Sequence, residues 1–129
     1  MSDGDGSITS IYTVLLEFES GDDPIVEVAR SSLDGQIMLS REMADAGIYP
    51  AVNLKGSISR LSQRVIDKNL TDLARDFRRL WTKFEQNRDL IMVGAYESGS
   101  DEELDRAIRM RKEMENFIEQ DLIAGCSLS

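Results

Sequence analysis

The chain has 129 residues, 41% of them apolar and 30% charged, with a formal net charge of −9, one cysteine and no histidine. This is the balance of a soluble globular chain of one domain or two small pieces. A lone cysteine excludes an internal disulfide, the missing histidine removes the commonest general base and metal ligand, and the acidic excess opposes nonspecific nucleic-acid binding.

The first ten residues, MSDGDGSITS, are acidic and lack a basic n-region, which argues against a signal peptide. Apolar runs such as residues 14–16 are far too short to span a bilayer. A cytoplasmic protein, peripheral to a membrane at most, is the expectation.

In chain order, SITSIYTVLLEF is rich in β-branched and aromatic residues and predicts a strand buried on both faces. ESGDDP breaks it, with Asp23 as helix cap and Pro24 at the first helical position. Ile25, Val26, Val28 and Ala29 predict a short helix. Asp34-Gly35 marks a turn, and QIMLS a second strand. SREMADAG predicts a short helix capped by Ser40 and closed by a left-handed Gly47. YPAVNL reads as extended. Strand alternating with helix points to a parallel α/β sheet, with too little helix in sixty residues to cover both faces. That half therefore reads as part of something larger.

The second half reads as all-α. Leu70, Leu73, Phe77, Leu80, Trp81, Phe84 and Ile91 recur at helical spacing and predict one long amphipathic helix, with Asn69 as its cap. Phe77, Trp81 and Phe84 fit core packing better than a cofactor box. Gly94 and Gly99 bracket a loop. Ser100 and Glu103 have capping-box spacing, and Leu104, Ile108, Phe117, Ile118 and Leu122 line the inner face of a last helix. Glu102 with Arg106, and Asp105 with Arg109, stand at the spacing of helix ion pairs. Residues 60–88 hold 8 basic and 4 acidic residues, between segments with 3 and 10 before and 4 and 10 after. Such a stretch is either a solvated, internally paired face or a partner-docking face.

Little chemistry is on display. There is no GxxxxGK[ST] phosphate loop and no cysteine–histidine cluster for zinc. Cys126, between Gly125 and Ser127, belongs to a tail rather than to a nucleophile site. Glu17 and Glu19 follow the first strand, as catalytic groups or as polar exits from the sheet. Two residues stand out in AGIYPAVNLKGSISRL. Tyr49 either packs beside Pro50 or lays its ring against a ligand. Arg60, after Ser57 and Ser59, either pairs with a nearby carboxylate or presents a planar fork of donors to a γ-phosphate.

GSITSIYTVLLE, followed by GDDPIVEVARSSLDGQIMLSREMADAGIYPAVNLKGSISRL, resembles the end of the nucleotide-binding domain in flagellar and type III secretion export ATPases. These are hexameric relatives of the rotary ATP synthase α and β subunits. FEQNRDLIMVGAYESGSDEELDRAI resembles their C-terminal helical domain, closest to the flagellar branch. The ordered blocks run from residue 6 to about residue 121.

The resemblance implies α/β followed by all-α: the last strands and helices of a RecA-like domain over residues 1–61, then a helical domain over 62–129. It implies that Tyr49 lies on the adenine side of a bound nucleotide in cis. Arg60 would reach a neighbouring subunit's nucleotide in trans as an arginine finger. It further implies ATP and magnesium in the full-length parent and a homo-hexamer at the inner face of an export apparatus. Its partners would be export substrates, chaperones, a central stalk and stator proteins, with no nucleic acid. The sequence departs from the family where Gln36 stands in place of a frequent histidine, and in the acidic EFESGDD turn. The family's phosphate loop, magnesium-binding aspartate and catalytic glutamate do not occur in these residues. The expectation is thus a C-terminal fragment that alone holds no nucleotide or metal and does not hydrolyse ATP. The alternative is a free-standing, non-catalytic adaptor docking partners through its helices.

Overall fold

The computed structural model describes residues 6, 8–15 and 24–121. They fall into two units, Met1–Ser32 and Leu33–Ser129.

In the first unit, helix α1 (Pro24–Ser32) starts at the proline, as predicted. Its exposed Glu27–Arg30 pair is 3.0 Å long, and the Ser31 and Ser32 hydroxyls both donate to the Val28 carbonyl. Asp23, Glu17 and Glu19 lie outside the described residues. The predicted first strand does not form over residues 8–15, where Ile8, Ile11 and Leu15 are each more than 90% exposed. Strand propensity is a preference for a pleated, half-buried surface. Without a partner strand among the described residues, these side chains have no such surface to pack on.

The second unit opens with a two-stranded ladder, β1 (Gly35–Gln36) against β2 (Ile58–Ser59), extended by a single bridge between Leu39 and Val52. The pairing is antiparallel, so the parallel pairing predicted from strand–helix alternation is absent among the described residues. QIMLS contributes only Gln36 to a strand. The facing chain leaves the ladder for residues 53–57, which interrupts the pairing. Between these segments lies α2 (Arg41–Asp45), whose N-terminus is closed by Ser40 as predicted: Met43 N donates to its hydroxyl at 3.4 Å. Gly47, at φ 77°, ends it in a Schellman motif, with Gly47 N bonded to Ala44 O and Ile48 N to Met43 O, both 3.0 Å.

A four-residue helix, α3 (Ser62–Val65), precedes the long helix α4 (Lys68–Met92). The cap of α4 is Asp67, not the predicted Asn69. Its carboxylate accepts from Leu70 N at 2.8 Å, which a side chain already inside the helix could not do. Gly94, at φ 70°, repeats the Schellman arrangement at the far end, with Gly94 N on Ile91 O and Ala95 N on Leu90 O. Helix α5 (Glu102–Ile118) is capped by Asp101 through Leu104 N at 3.0 Å. Ser100, the predicted cap, instead donates to Glu97 O within the loop, and Glu103 pairs with Arg79.

The core joins α4 to α5 through Leu80, Trp81, Leu104, Ala107 and Met114, with Phe77, Phe84, Ile91 and Ile108 packed around them. Phe77 stacks on Trp81 at 6.3 Å and 8°. These aromatics are core, as the sequence indicates. The predicted stripe of α4 runs too far, however: Leu70 and Leu73 are at least half exposed, as is Phe117 near the end of α5. A 25-residue helix is about 37 Å long and a 17-residue helix about 26 Å, so α5 cannot cover all of α4.

Ion pairs finish the seam. The predicted Glu102–Arg106 and Asp105–Arg109 pairs do not form. Arg106 reaches Asp76 on α4 at 2.8 Å, and Asp105 accepts from Tyr96 Oη at 2.9 Å and Gly99 N at 2.8 Å. Arg79 donates to Asp76 at 2.6 Å, and Lys83 lies 2.6 Å from Asp101. The Arg79 hydrogen bond, with Arg106 nearby, holds the Asp76 carboxyl below its ordinary value. Lys83 and the Leu104 amide do the same for Asp101.

A carboxylate depressed in the folded state stabilises above its unfolded pKa, about 3.9, and that stability is lost as pH falls through the lower folded value. The urea midpoint should therefore hold steady from neutral pH to about pH 5 and decline below about pH 4. Asp101→Asn keeps the cap but loses the charge pair, so it should flatten that acid decline. An unchanged decline in this variant would remove Asp101 from the explanation. No helix among the described residues is long and apolar enough to cross a membrane.

Candidate functional site

Tyr49 and Arg60 are carried by one piece of chain, residues 48–60, that runs back along residues 34–40. Main-chain bonds fix both ends of this strip. At one end Ser40 N donates to Ala51 O at 2.8 Å, and Asn53 N to Met38 O at 2.8 Å. At the other, Gln36 pairs with Ile58 and Gly35 with Ser59, and Arg60 N donates to Asp34 O at 2.8 Å.

Tyr49 precedes Pro50 through a cis peptide bond and is half exposed. Its carbonyl accepts from Gln120 N at 2.8 Å, which ties this end of the strip to the chain just beyond α5. Ala51, two residues on, is buried. The Schellman closure of α2 turns the chain at Gly47, so Tyr49 emerges immediately after a fixed bend.

Arg60 is exposed at the end of β2, followed directly by α3. The residues behind it form a tight excursion. Asn53 Oδ1 accepts from Lys55 N and Gly56 N, both at 3.0 Å, which makes an Asx turn. Asn53 O accepts from Ser57 N at 3.0 Å and from the Ser57 hydroxyl at 2.6 Å. That hydroxyl in turn accepts from Met38 N at 3.0 Å, and Gln36 Nε2 donates to Gly56 O at 3.1 Å.

Tyr49 and Arg60 are not brought to one point. Each end of the strip holds one of them, about six extended residues apart, or on the order of 20 Å. Asn53, Ser57 and Gln36, which build the arginine's loop, were not legible as a group. An asparagine three residues before a glycine is the only local sign of the Asx turn.

Among the described residues no cluster of three or more His, Cys, Asp or Glu side chains could hold a metal ion. Cys126 lies outside them. Four residues of the basic stretch form ion pairs within the chain: Arg75 with Asp72, Arg79 with Asp76 and Glu103, Lys83 with Asp101, and Arg88 with Glu42. A wide, shallow groove lined by Arg75, Arg78, Arg79, Lys83 and Glu103 lies on this face, away from the strip.

Residues 1–59 match the nucleotide-binding domain of the ATP synthase alpha/beta family, and residues 66–129 match the T3SS EscN ATPase C-terminal domain. The "Flagellum-specific ATP synthase" of Buchnera aphidicola subsp. Baizongia pistaciae is 47% identical over 118 residues, covering 92% of this chain and 26% of the relative. The assembled ATPase EscN of enteropathogenic E. coli superimposes with a TM-score of 0.90 at 40% identity, over 95% of this chain and 30% of that one. EscN in complex with its central stalk EscO superimposes with a TM-score of 0.84 at 38% identity, over 95% of this chain and 28% of that one.

The fold is therefore the end of an ATP synthase α/β-type nucleotide-binding domain followed by a helical secretion-ATPase domain. More narrowly, the chain is homologous to the C-terminal part of the flagellar and type III secretion ATPases, and the α/β-then-all-α reading of its sequence holds at that level. It spans about a quarter of the length of the flagellar relative.

Proposed function

We propose that these residues serve an ATPase that energises flagellar-type protein export. Arg60 acts as an arginine finger in trans, and Tyr49 contacts the adenine side of a nucleotide in cis. The observation that carries this reading is the strip itself. One segment, held by main-chain bonds at both ends, carries a half-exposed aromatic ring at one end and an exposed guanidinium at the other. In a ring of identical subunits, each segment serves two nucleotide sites, its own and its neighbour's. The guanidinium suits the role because it stays charged at any working pH and matches phosphate oxygens with paired donors.

Residues 1–61 form the end of the nucleotide-binding domain, and residues 62–129 a helical domain that engages the central stalk, export substrates with their chaperones, and stator proteins. A homologous helical domain is present in an EscN assembly that includes its central stalk. Magnesium and the phosphate cradle come from elements outside the described residues. The assembly, a homo-hexamer, works in the cytoplasm at the inner face of the export apparatus.

The test is a graft. Residues 6–121 replace the matching segment of a full-length flagellum-specific ATP synthase, and turnover, ring assembly and motility are measured. Turnover within about tenfold of the parent, with motility restored, is the expected result. A chimera that assembles normally but neither hydrolyses ATP nor supports motility would overturn the reading.

A further inference from the structure

We propose that Gln36 is a positioning residue for Arg60, acting through Gly56 and the main chain of β2. The inference rests on the finger reading above for its catalytic consequence, but its structural part stands by itself. Gln36 holds the arginine's strand twice. Its main chain pairs with Ile58, two residues before Arg60, and its half-buried carboxamide donates to Gly56 O, two residues further back. One side chain therefore spans the point where the excursion of residues 53–57 rejoins the ladder.

This point needs an external tie. In an uninterrupted antiparallel ladder, main-chain groups of the facing strand would bond every second residue of 34–40. The excursion removes them. Met38 N is left to the Ser57 hydroxyl, and the Gly56 carbonyl to Gln36 Nε2. Ser57 and Asn53 close the excursion on itself, but their bonds to one another do not fix its position against residues 34–40. Asn53 N holds the start of the excursion on Met38 O, and two side-chain bonds, Ser57 to Met38 and Gln36 to Gly56, hold the rest. The last of these is nearer the arginine's end of the ladder. A one-residue slip there would send every side chain of this strand to the opposite face, Arg60 with them.

The chemistry at Gly56 O requires a donor. Gln36→Glu keeps size and shape but faces a carbonyl oxygen with a carboxylate, so the tie becomes a repulsion. Gln36→His restores an N–H of similar reach. The pair separates the need for a donor from the need for bulk.

The first experiment uses the full 129-residue chain and amide hydrogen exchange. Gln36→Glu should speed exchange at Ile58 and Arg60 by about tenfold or more, leave α4 and α5 unchanged, and be rescued by Gln36→His. Unaltered exchange at Ile58 and Arg60 overturns the proposal. So does acceleration spread evenly over the chain, which would be general destabilisation. The second experiment uses the grafted enzyme. Misplacing a catalytic group by about 1 Å costs on the order of 10²-fold. Gln36→Glu should thus lower kcat by about 10- to 100-fold with KM for ATP within about twofold, and should add nothing in an Arg60→Ala background. A wild-type kcat in Gln36→Glu, alongside a crippled Arg60→Ala, sinks the positioning role and leaves the finger standing. Unimpaired Arg60→Ala sinks the finger reading, and the exchange experiment then decides the structural tie by itself.

Discussion

Arg60→Ala in the grafted enzyme is expected to lower ATP turnover by about 10³- to 10⁵-fold while ring assembly and thermal stability stay as in the parent. The size follows from when the guanidinium is needed. As the γ-phosphoryl group leaves, charge accumulates on oxygens that a planar fork of N–H donors can meet in pairs, so the contact is stronger in the transition state than in the ground state. The loss should therefore fall on kcat, with KM for ATP little changed. The fold should tolerate the change: Arg60 is exposed, and the main-chain bond from Arg60 N to Asp34 O survives truncation of the side chain.

Arg60→Lys keeps the charge but not the fork and should recover only a small part of the loss. Mixed rings separate action in trans from action in cis. Subunits with Arg60→Ala and an intact phosphate loop, combined with subunits that keep Arg60 but lack a working phosphate loop, should turn over ATP although neither pure ring does. Two inactive pure rings that give an inactive mixture of normal assembly would place Arg60's partner within its own subunit.

How far the sequence led depends on the range of the interaction concerned. Helices announce themselves locally. The spacing of Phe77, Leu80, Trp81 and Phe84, the proline at the start of α1 and the glycine after α2 each act within a few residues, and each prediction holds in the structure. Caps are local too, yet Asn69 and Ser100 were one or two places off. In both cases an aspartate offers a carboxylate at a position whose side chain reaches the third helical N–H. Pairing with distant chain is not written locally. Residues 8–15 have strand-forming side chains, but a strand needs a neighbour. Arg106 looks like a partner for Glu102 until α4 brings Asp76 alongside. The site divides the same way. Tyr49 and Arg60 stood out because an aromatic before proline and an arginine after small hydroxylated residues are unusual in a turn. Gln36, Asn53 and Ser57 belong together only once residues 34–40 lie against residues 51–60.

Trp81→Ala is expected to destabilise the chain by about 3–5 kcal/mol, the largest stability effect of any single truncation in the helical part. Trp81 is 4% exposed and sits where three kinds of contact meet. Phe77 stacks on it, Leu80 and Met114 belong to the same buried cluster, and the Arg111 guanidinium lies 3.9 Å from its ring centroid. Arg111 also lies 4.4 Å from the Phe84 ring centroid and is held by Glu85 at 2.8 Å and Glu115 at 2.7 Å. Deleting the indole leaves a cavity and exposes one face of a cation whose carboxylate partners are placed for it with the ring present. Trp81→Phe fills most of the space and keeps a ring under Arg111, so it should cost clearly less. Leu73→Ala offers the contrast. Leu73 lies on the same predicted apolar stripe but is 67% exposed, beyond the cover of α5, and its truncation should fall within about 0.5 kcal/mol of wild type. Urea unfolding followed by far-UV circular dichroism measures all three without using the indole as the probe. If Leu73→Ala and Trp81→Ala cost the same, stability would be spread along the whole stripe, and the α4–α5 crossing would not be the core.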